Sequence, residues 1–178
     1  MAYGHPDTPI EPLIYTQTSP DIPEIARQLE ALAVERGGKD QVKIVVDSSE
    51  SMSWPWAWYL RDFTNATYVD QVDRATVPEG AVLLLWDGTL RAKPNLGDGY
   101  PVAEPYVHRW WFPEEGYRGW TRASISPRAA DGTLFLDMAN FYWNGENREY
   151  LGTLGGVALF PVEPPAARLP TSGVSYGR

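Results

Sequence analysis

Apolar residues return at three- and four-residue spacing along Ile22, Ile25, Ala26, Leu29, Leu32 and Ala33, and that period predicts a helix with one buried face. Ser19-Pro20-Asp21 supplies its start: a capping hydroxyl, a proline at the first helical position and an acid in the first turn. Gly37-Gly38 stops it, so the helix runs near Pro20–Arg36. Ahead of it, Leu13–Thr18 alternates apolar and polar positions as a strand does. Behind it, Val42–Val46 is a β-branched run broken only by Lys43, which predicts a central strand apolar on nearly all of both faces. Trp54–Phe63 predicts a second helix capped by Ser51 or Ser53, Tyr68-Val69 a minor strand, and Ala81–Trp86 the most apolar strand. Strand–helix–strand–helix–strand with short connections predicts an α/β fold, a three-layer, mostly parallel sheet with helices on both faces.

The second half is less regular. Arg91–Pro105 carries Pro94, Gly97, Gly99, Pro101 and Pro105 and reads as a loop. Tyr106–Phe112 and Gly155–Val162 read as strands, Leu134–Trp143 as a helix ended by Asn144-Gly145, and Gly116–Arg128 is ambiguous. Without crossover helices of the usual length, the late strands are expected as antiparallel edges. Gly4, Pro6 and Pro9 mark residues 1–11 as a linker; residues 12–162 form a single α/β domain, and 163–178 form a flexible tail rich in proline, glycine and serine. The longest apolar run, Ala81–Trp86, is far short of the ~20 residues of a membrane helix. No basic stretch followed by an apolar core marks a signal peptide.

Composition narrows the chemistry. The 178 residues are 43% hydrophobic and 21% charged, an ordinary globular balance. A net charge of −8 argues against nucleic acid as a partner. With no cysteine there is neither a disulfide framework nor a thiolate metal site. Two histidines, His5 and His108, leave little material for a zinc site or a serine triad. No Gly-x-Gly-x-x-Gly, Walker-type loop, Gly-x-Ser-x-Gly or Asp-x-Asp pair occurs in the chain.

Three local patterns remain. Asp47, Ser49 and Ser51 leave a predicted strand end in the Asp-x-Ser-x-Ser order of the metal-ion-dependent adhesion site of von Willebrand factor A-like domains. A carboxylate and two hydroxyls suit Mg²⁺. A whole strand–helix unit precedes Asp47, which is out of place for that site, and serines after a strand also cap the next helix, so no metal site is assigned here. On a helix, Trp54, Trp58 and Arg61 share one face and Trp56, Leu60 and Phe63 another; one face packs on the sheet, and Arg61 is placed to stack over an indole. In His108-Arg109-Trp110-Trp111-Phe112-Pro113-Glu114-Glu115, indoles beside guanidinium and carboxylate groups suit polyols. Packing in the core is the competing account of every one of these aromatics. Glu114 and Glu115, as neighbours on a strand, point to opposite faces and do not make a glycosidase pair.

Pro12–Asp21 followed by Ser53-Trp54-Pro55-Trp56-Ala57-Trp58-Tyr59-Leu60-Arg61-Asp62-Phe63 resembles the C-terminal domain of membrane glycosyltransferases of the GT-C superfamily. More narrowly, it resembles the flippase-activity-associated group related to protein mannosyltransferases, and Arg109–Glu114 fits the same group. The resemblance spans about Pro12 to Pro161. It implies an extracytoplasmic accessory domain of a longer membrane protein, partnered with that protein's own membrane part and with a glycan or lipid-linked sugar. The catalytic acid of that superfamily sits on a loop of the membrane part, so the resemblance assigns no catalytic residue and no cofactor to this chain. Trp54, Trp58, Arg61, Trp110, Trp111 and Glu114, from the aromatic clusters above, are the substrate-binding candidates. The alternatives are a von Willebrand factor A-like metal-dependent binding module and a free-standing carbohydrate-binding domain.

Overall fold

A computed structural model of the chain describes residues 16–111, 121–132, 135–136, 139 and 152–163. The elements follow in the order β1 (Thr16–Thr18), α1 (Asp21–Arg36), β2 (Ile44–Asp47), α2 (Ser53–Tyr59), β3 (Ala66–Val69), β4 (Val82–Trp86), α3 (Asp87–Ala92), β5 (Val102–Trp111), α4 (Arg122–Ala130) and β6 (Gly152–Phe160). The fold is mixed α/β, and its six strands pair in the order β1-β5-β6-β4-β2-β3. Two compact units divide the chain, one of Met1–Pro20 and Val107–Gly155, the other of Asp21–Tyr106 and Gly156–Arg178.

The larger unit is organised around β2, whose four residues are all buried. β2 pairs in parallel with β3 (Ile44 opposite Ala66) and with β4 (Ile44 opposite Val82), and β4 pairs antiparallel with β6 (Leu84 opposite Ala158). A strand buried on both faces needs both faces covered. On one face Val45, Leu83, Leu85 and Leu159 pack with Val72 and Leu96, and Leu90 and Tyr100 close over them. On the other, Ile44, Val46, Leu84 and Phe160 are buried along with Trp56 of α2 and Leu60 just after it. α1 packs on α2 and buries the predicted Ile22, Ile25, Ala26, Leu29, Leu32 and Ala33.

The three-layer, mostly parallel arrangement is therefore corrected. Parallel pairing is confined to β2 with β3 and β4, while β4–β6 and β1–β5 are antiparallel. Leu13–Thr18 does not join the parallel strands: its described part, Thr16-Gln17-Thr18, pairs with β5 and is too polar for a place beside β2. The late strands are not edges either, because β5 and β6 are interior to the order and β1 and β3 end it. One face of the larger unit carries α1 and α2; the other is closed by short pieces, namely α3, the 3-10 turn Pro94–Gly97 and the segment around Val72.

Boundaries shift for local reasons. Trp54 is extended (φ −99°, ψ 129°), as a residue before proline prefers, so the α2 segment is kinked at its first tryptophan, and it ends at Tyr59 instead of Phe63. The expected loop Arg91–Pro105 holds the end of α3, the 3-10 turn and the start of β5; exposed Pro105 sits on the outward side of an alternation that buries Tyr106, His108 and Trp110. In the smaller unit β1 pairs with the end of β5, Thr16 opposite Trp111 and Thr18 opposite Arg109, and Ser19 N donates to His108 O at 3.4 Å. α4 falls within the ambiguous stretch Gly116–Arg128 and extends past it. The linker, the expected helix Leu134–Trp143 and the tail lie outside the described residues, apart from 135, 136, 139 and 163.

Glycine makes room for one aromatic ring that the larger unit depends on. A Cβ at Gly156 would lie 2.4 Å from Cζ of Tyr106, a buried ring with no free direction to retreat. Gly156→Ala is expected to cost about 1–3 kcal/mol, the usual range for overpacking, read as a lower denaturant midpoint at unchanged slope. Burial raises the Tyr106 phenol well above its ordinary value, more than the hydrogen bond from Trp56 lowers it. A raised folded-state value leaves stability intact below about pH 10 and drains it above, by about 1.4 kcal/mol per pH unit. Alkaline unfolding of Tyr106→Phe is expected to lack that added slope.

Candidate functional site

The C-terminal ends of the parallel strands β2, β3 and β4 are where α/β sheets place ligands. Asp47 ends β2 there and is fully buried. Its Oδ1 accepts from Ser49 N (2.9 Å) and from the Ser49 hydroxyl, and its Oδ2 accepts from Trp86 N (3.2 Å). The carboxylate thus holds the turn after β2 and ties it to the end of β4. Ser49 Oγ lies 3.4 Å from Thr89 Oγ1 of α3, and Ser48 N donates to Val69 O (2.8 Å) at the end of β3. The chain then passes through Glu50 (φ 52°) and Ser51 (φ 59°), two left-handed residues without the freedom of glycine, at about 1–2 kcal/mol each. Ser51 is exposed and makes no contact with Asp47 among those described. The three residues of the Asp-x-Ser-x-Ser pattern are not brought together as ligands, and no group of three or more metal-ligating side chains occurs among the described residues.

α2, which this turn launches, divides its aromatics sharply. Trp56 is fully buried, stands edge-on to Tyr106 (ring centroids 5.7 Å apart, planes at 84°) and donates from Nε1 to the Tyr106 hydroxyl at 3.2 Å. Leu60 and Phe63 are buried with it. Trp54 and Trp58 are 63% and 58% exposed. The Arg61 guanidinium lies 4.6 Å from the Trp58 ring centroid and donates from Nη1 to Trp58 O at 2.9 Å. An oriented guanidinium on an exposed indole is a contact face that takes both flat apolar groups and hydroxyl or anionic acceptors.

The β5 candidates belong to the smaller unit. Trp110 is 4% exposed and packs inward, which leaves little of its indole for a ligand. Trp111, opposite Thr16, is partly exposed, and a Cβ at Gly152 would meet its indole at 2.2 Å. Glu114 lies outside the described residues. The structure thus brings Arg61 onto Trp58, with Trp54 exposed on the same helix segment. Sequence reasoning missed Trp86, Thr89 and Tyr106. No spacing signal links Asp47 to Trp86 or Trp56 to Tyr106, because the chain separations are long and only strand pairing closes them.

No helix among the described residues is long and apolar enough to cross a membrane. Comparison with protein-family models, curated proteins and solved structures gives no match.

Asp47 is expected to act as a structural anchor. Titration with Mg²⁺ or Mn²⁺ should give no binding heat, and Asp47→Ala should cost about 1–3 kcal/mol for the backbone amides it leaves unpaired, measured by denaturant unfolding. Tight cation binding abolished by Asp47→Ala would reverse that assignment.

Proposed function

We propose that this chain is an extracytoplasmic accessory domain of a membrane-embedded, lipid-linked sugar transferase, and that it transfers nothing alone. The observation that carries the reading is the exposed pair Trp54 and Trp58 with the Arg61 guanidinium seated on Trp58. Large indoles normally bury; leaving two of them in water next to an oriented cation suits a surface that meets a partner. Sugars offer C–H faces to indoles and hydroxyls to a guanidinium. The resemblance of Ser53–Phe63 to the GT-C group supplies the class of parent protein, and the missing nucleotide cradle and Asp-x-Asp pair agree with catalysis lying elsewhere.

In this reading the domain sits at the outer membrane face against its parent's membrane part, and Trp54, Trp58 and Arg61 help hold the glycan acceptor or the lipid-linked donor. Trp111 is a secondary contact, and Trp110 is buried.

The test is made on the full-length gene product in membranes. Trp58→Ala and Arg61→Ala are each expected to lower sugar transfer about tenfold, the loss of one good contact of roughly 1.4 kcal/mol, with the thermal midpoint of the 178-residue chain unchanged. Matching losses of transfer and of folding would mark these side chains as structural. A gene with no membrane-spanning segments attached to this chain would end the reading.

A further inference from the structure

Of the five asparagines in the chain, Asn65 alone opens an Asn-x-Ser/Thr triplet, Asn65-Ala66-Thr67, with alanine and not proline in the middle. That triplet is the acceptor pattern of N-linked glycosylation: the asparagine amide nitrogen takes the sugar, and a hydroxyl two residues on is read with it. Three residues recur by chance, so the placement in the fold decides whether the pattern can serve.

Asn65 lies in the turn between α2 and β3, and Thr67 lies in β3. Both are exposed, as are Thr64 and Tyr68 on either side of them. β3 ends the strand order, so no described strand covers its outer side. The backbone of the turn is held: Ile44 N donates to Asn65 O at 3.0 Å, and Ala66 N donates to Phe63 O at 3.2 Å. The side chain is held once, since Asn65 Nδ2 donates to the Asp40 carbonyl in the 3-10 turn Lys39–Gln41. A primary amide nitrogen carries two hydrogens. One serves Asp40, and the other is the one a sugar would replace. The secondary amide that results still donates to Asp40, so modification leaves the turn intact.

We propose that Asn65 is a site of N-linked glycosylation. The proposal rests on the extracytoplasmic placement argued above, because a lipid-linked glycan meets an asparagine on that side of a membrane. In the transfer, Asn65 Nδ2 forms a bond to the anomeric carbon of the glycan and the bond from that carbon to the lipid phosphate oxygen breaks. The lipid phosphate leaves with the bonding electron pair, and the amide gives up one proton. The chain is the acceptor in this step, and a separate oligosaccharide transferase is the catalyst.

The experiment isolates the full-length gene product, carrying an epitope tag, from the organism that encodes it and digests it with trypsin. The peptide Asp62–Arg74 holds Asn65 as its one asparagine. The expected result is a glycan mass on that peptide, located on Asn65 by fragmentation, lost in Asn65→Gln and in Thr67→Ala and kept in Thr67→Ser. Thr67→Ala leaves the bond from Asn65 to Asp40 in place, and circular dichroism of the 178-residue chain checks that the variant folds. Protease added outside intact cells locates the chain. An externally accessible chain with bare Asn65 overturns the glycosylation proposal and leaves the transferase reading standing. A glycan that persists in Thr67→Ala overturns it as well, because the triplet is then not what is read. A chain on the cytoplasmic side ends both readings.

Discussion

The indole of Trp56 decides which aromatics of α2 face water. α2 has seven residues, too few to be stable by itself, so tertiary packing must hold it. That packing is the edge-on contact of Trp56 with Tyr106 and the hydrogen bond between them. Each depends on a further constraint: Tyr106 occupies space that only a glycine at position 156 leaves open. Once Trp56 points into the core, Trp58, about 200° further around the helix, has to face water. The exposed indole is thus the geometric consequence of the buried one.

Asp47 works on the same turn from the other side. A buried carboxylate is tolerable only when its oxygens are bonded, and here backbone amides of Ser49 and Trp86 supply those bonds. They tie the ends of β2 and β4 together and hold Glu50 and Ser51 in a left-handed pair that delivers the chain to Trp54. A motif that looks like a cation site is spent on backbone geometry. Ser49 bonds the aspartate within the turn, and the aspartate is closed to solvent.

The surface charge has a comparable logic. Three cations of the larger unit, Arg27, Lys39 and Arg91, are partners of nearby acids, pairs worth little to stability. Others rest on carbonyls or rings: Arg36 on Gly80 O, Lys43 on Glu79 O, Lys93 on Val72 O, Arg61 on Trp58 and Arg74 over Tyr100.

The period of Ile22 to Ala33, the apolar runs that became β2 and β4, and the split between buried Trp56, Leu60 and Phe63 and exposed Trp54, Trp58 and Arg61 were all legible in the sequence, although the helix that was to carry the split ends at Tyr59. These are local properties: burial follows side-chain period, and period is set by the geometry of one element. Strand partners were not legible. Thr16-Gln17-Thr18 preceded a helix and a strand in the order of a crossover unit, yet it pairs antiparallel with β5, because pairing is chosen by which edges remain open after β2 has taken β3 and β4. The inward turn of Trp110, the bond from Trp86 to Asp47 and the bond from Arg36 to Gly80 were likewise decided by tertiary structure. Each joins residues that are remote along the chain, and sequence spacing carries no information about a contact that only a folded sheet can close.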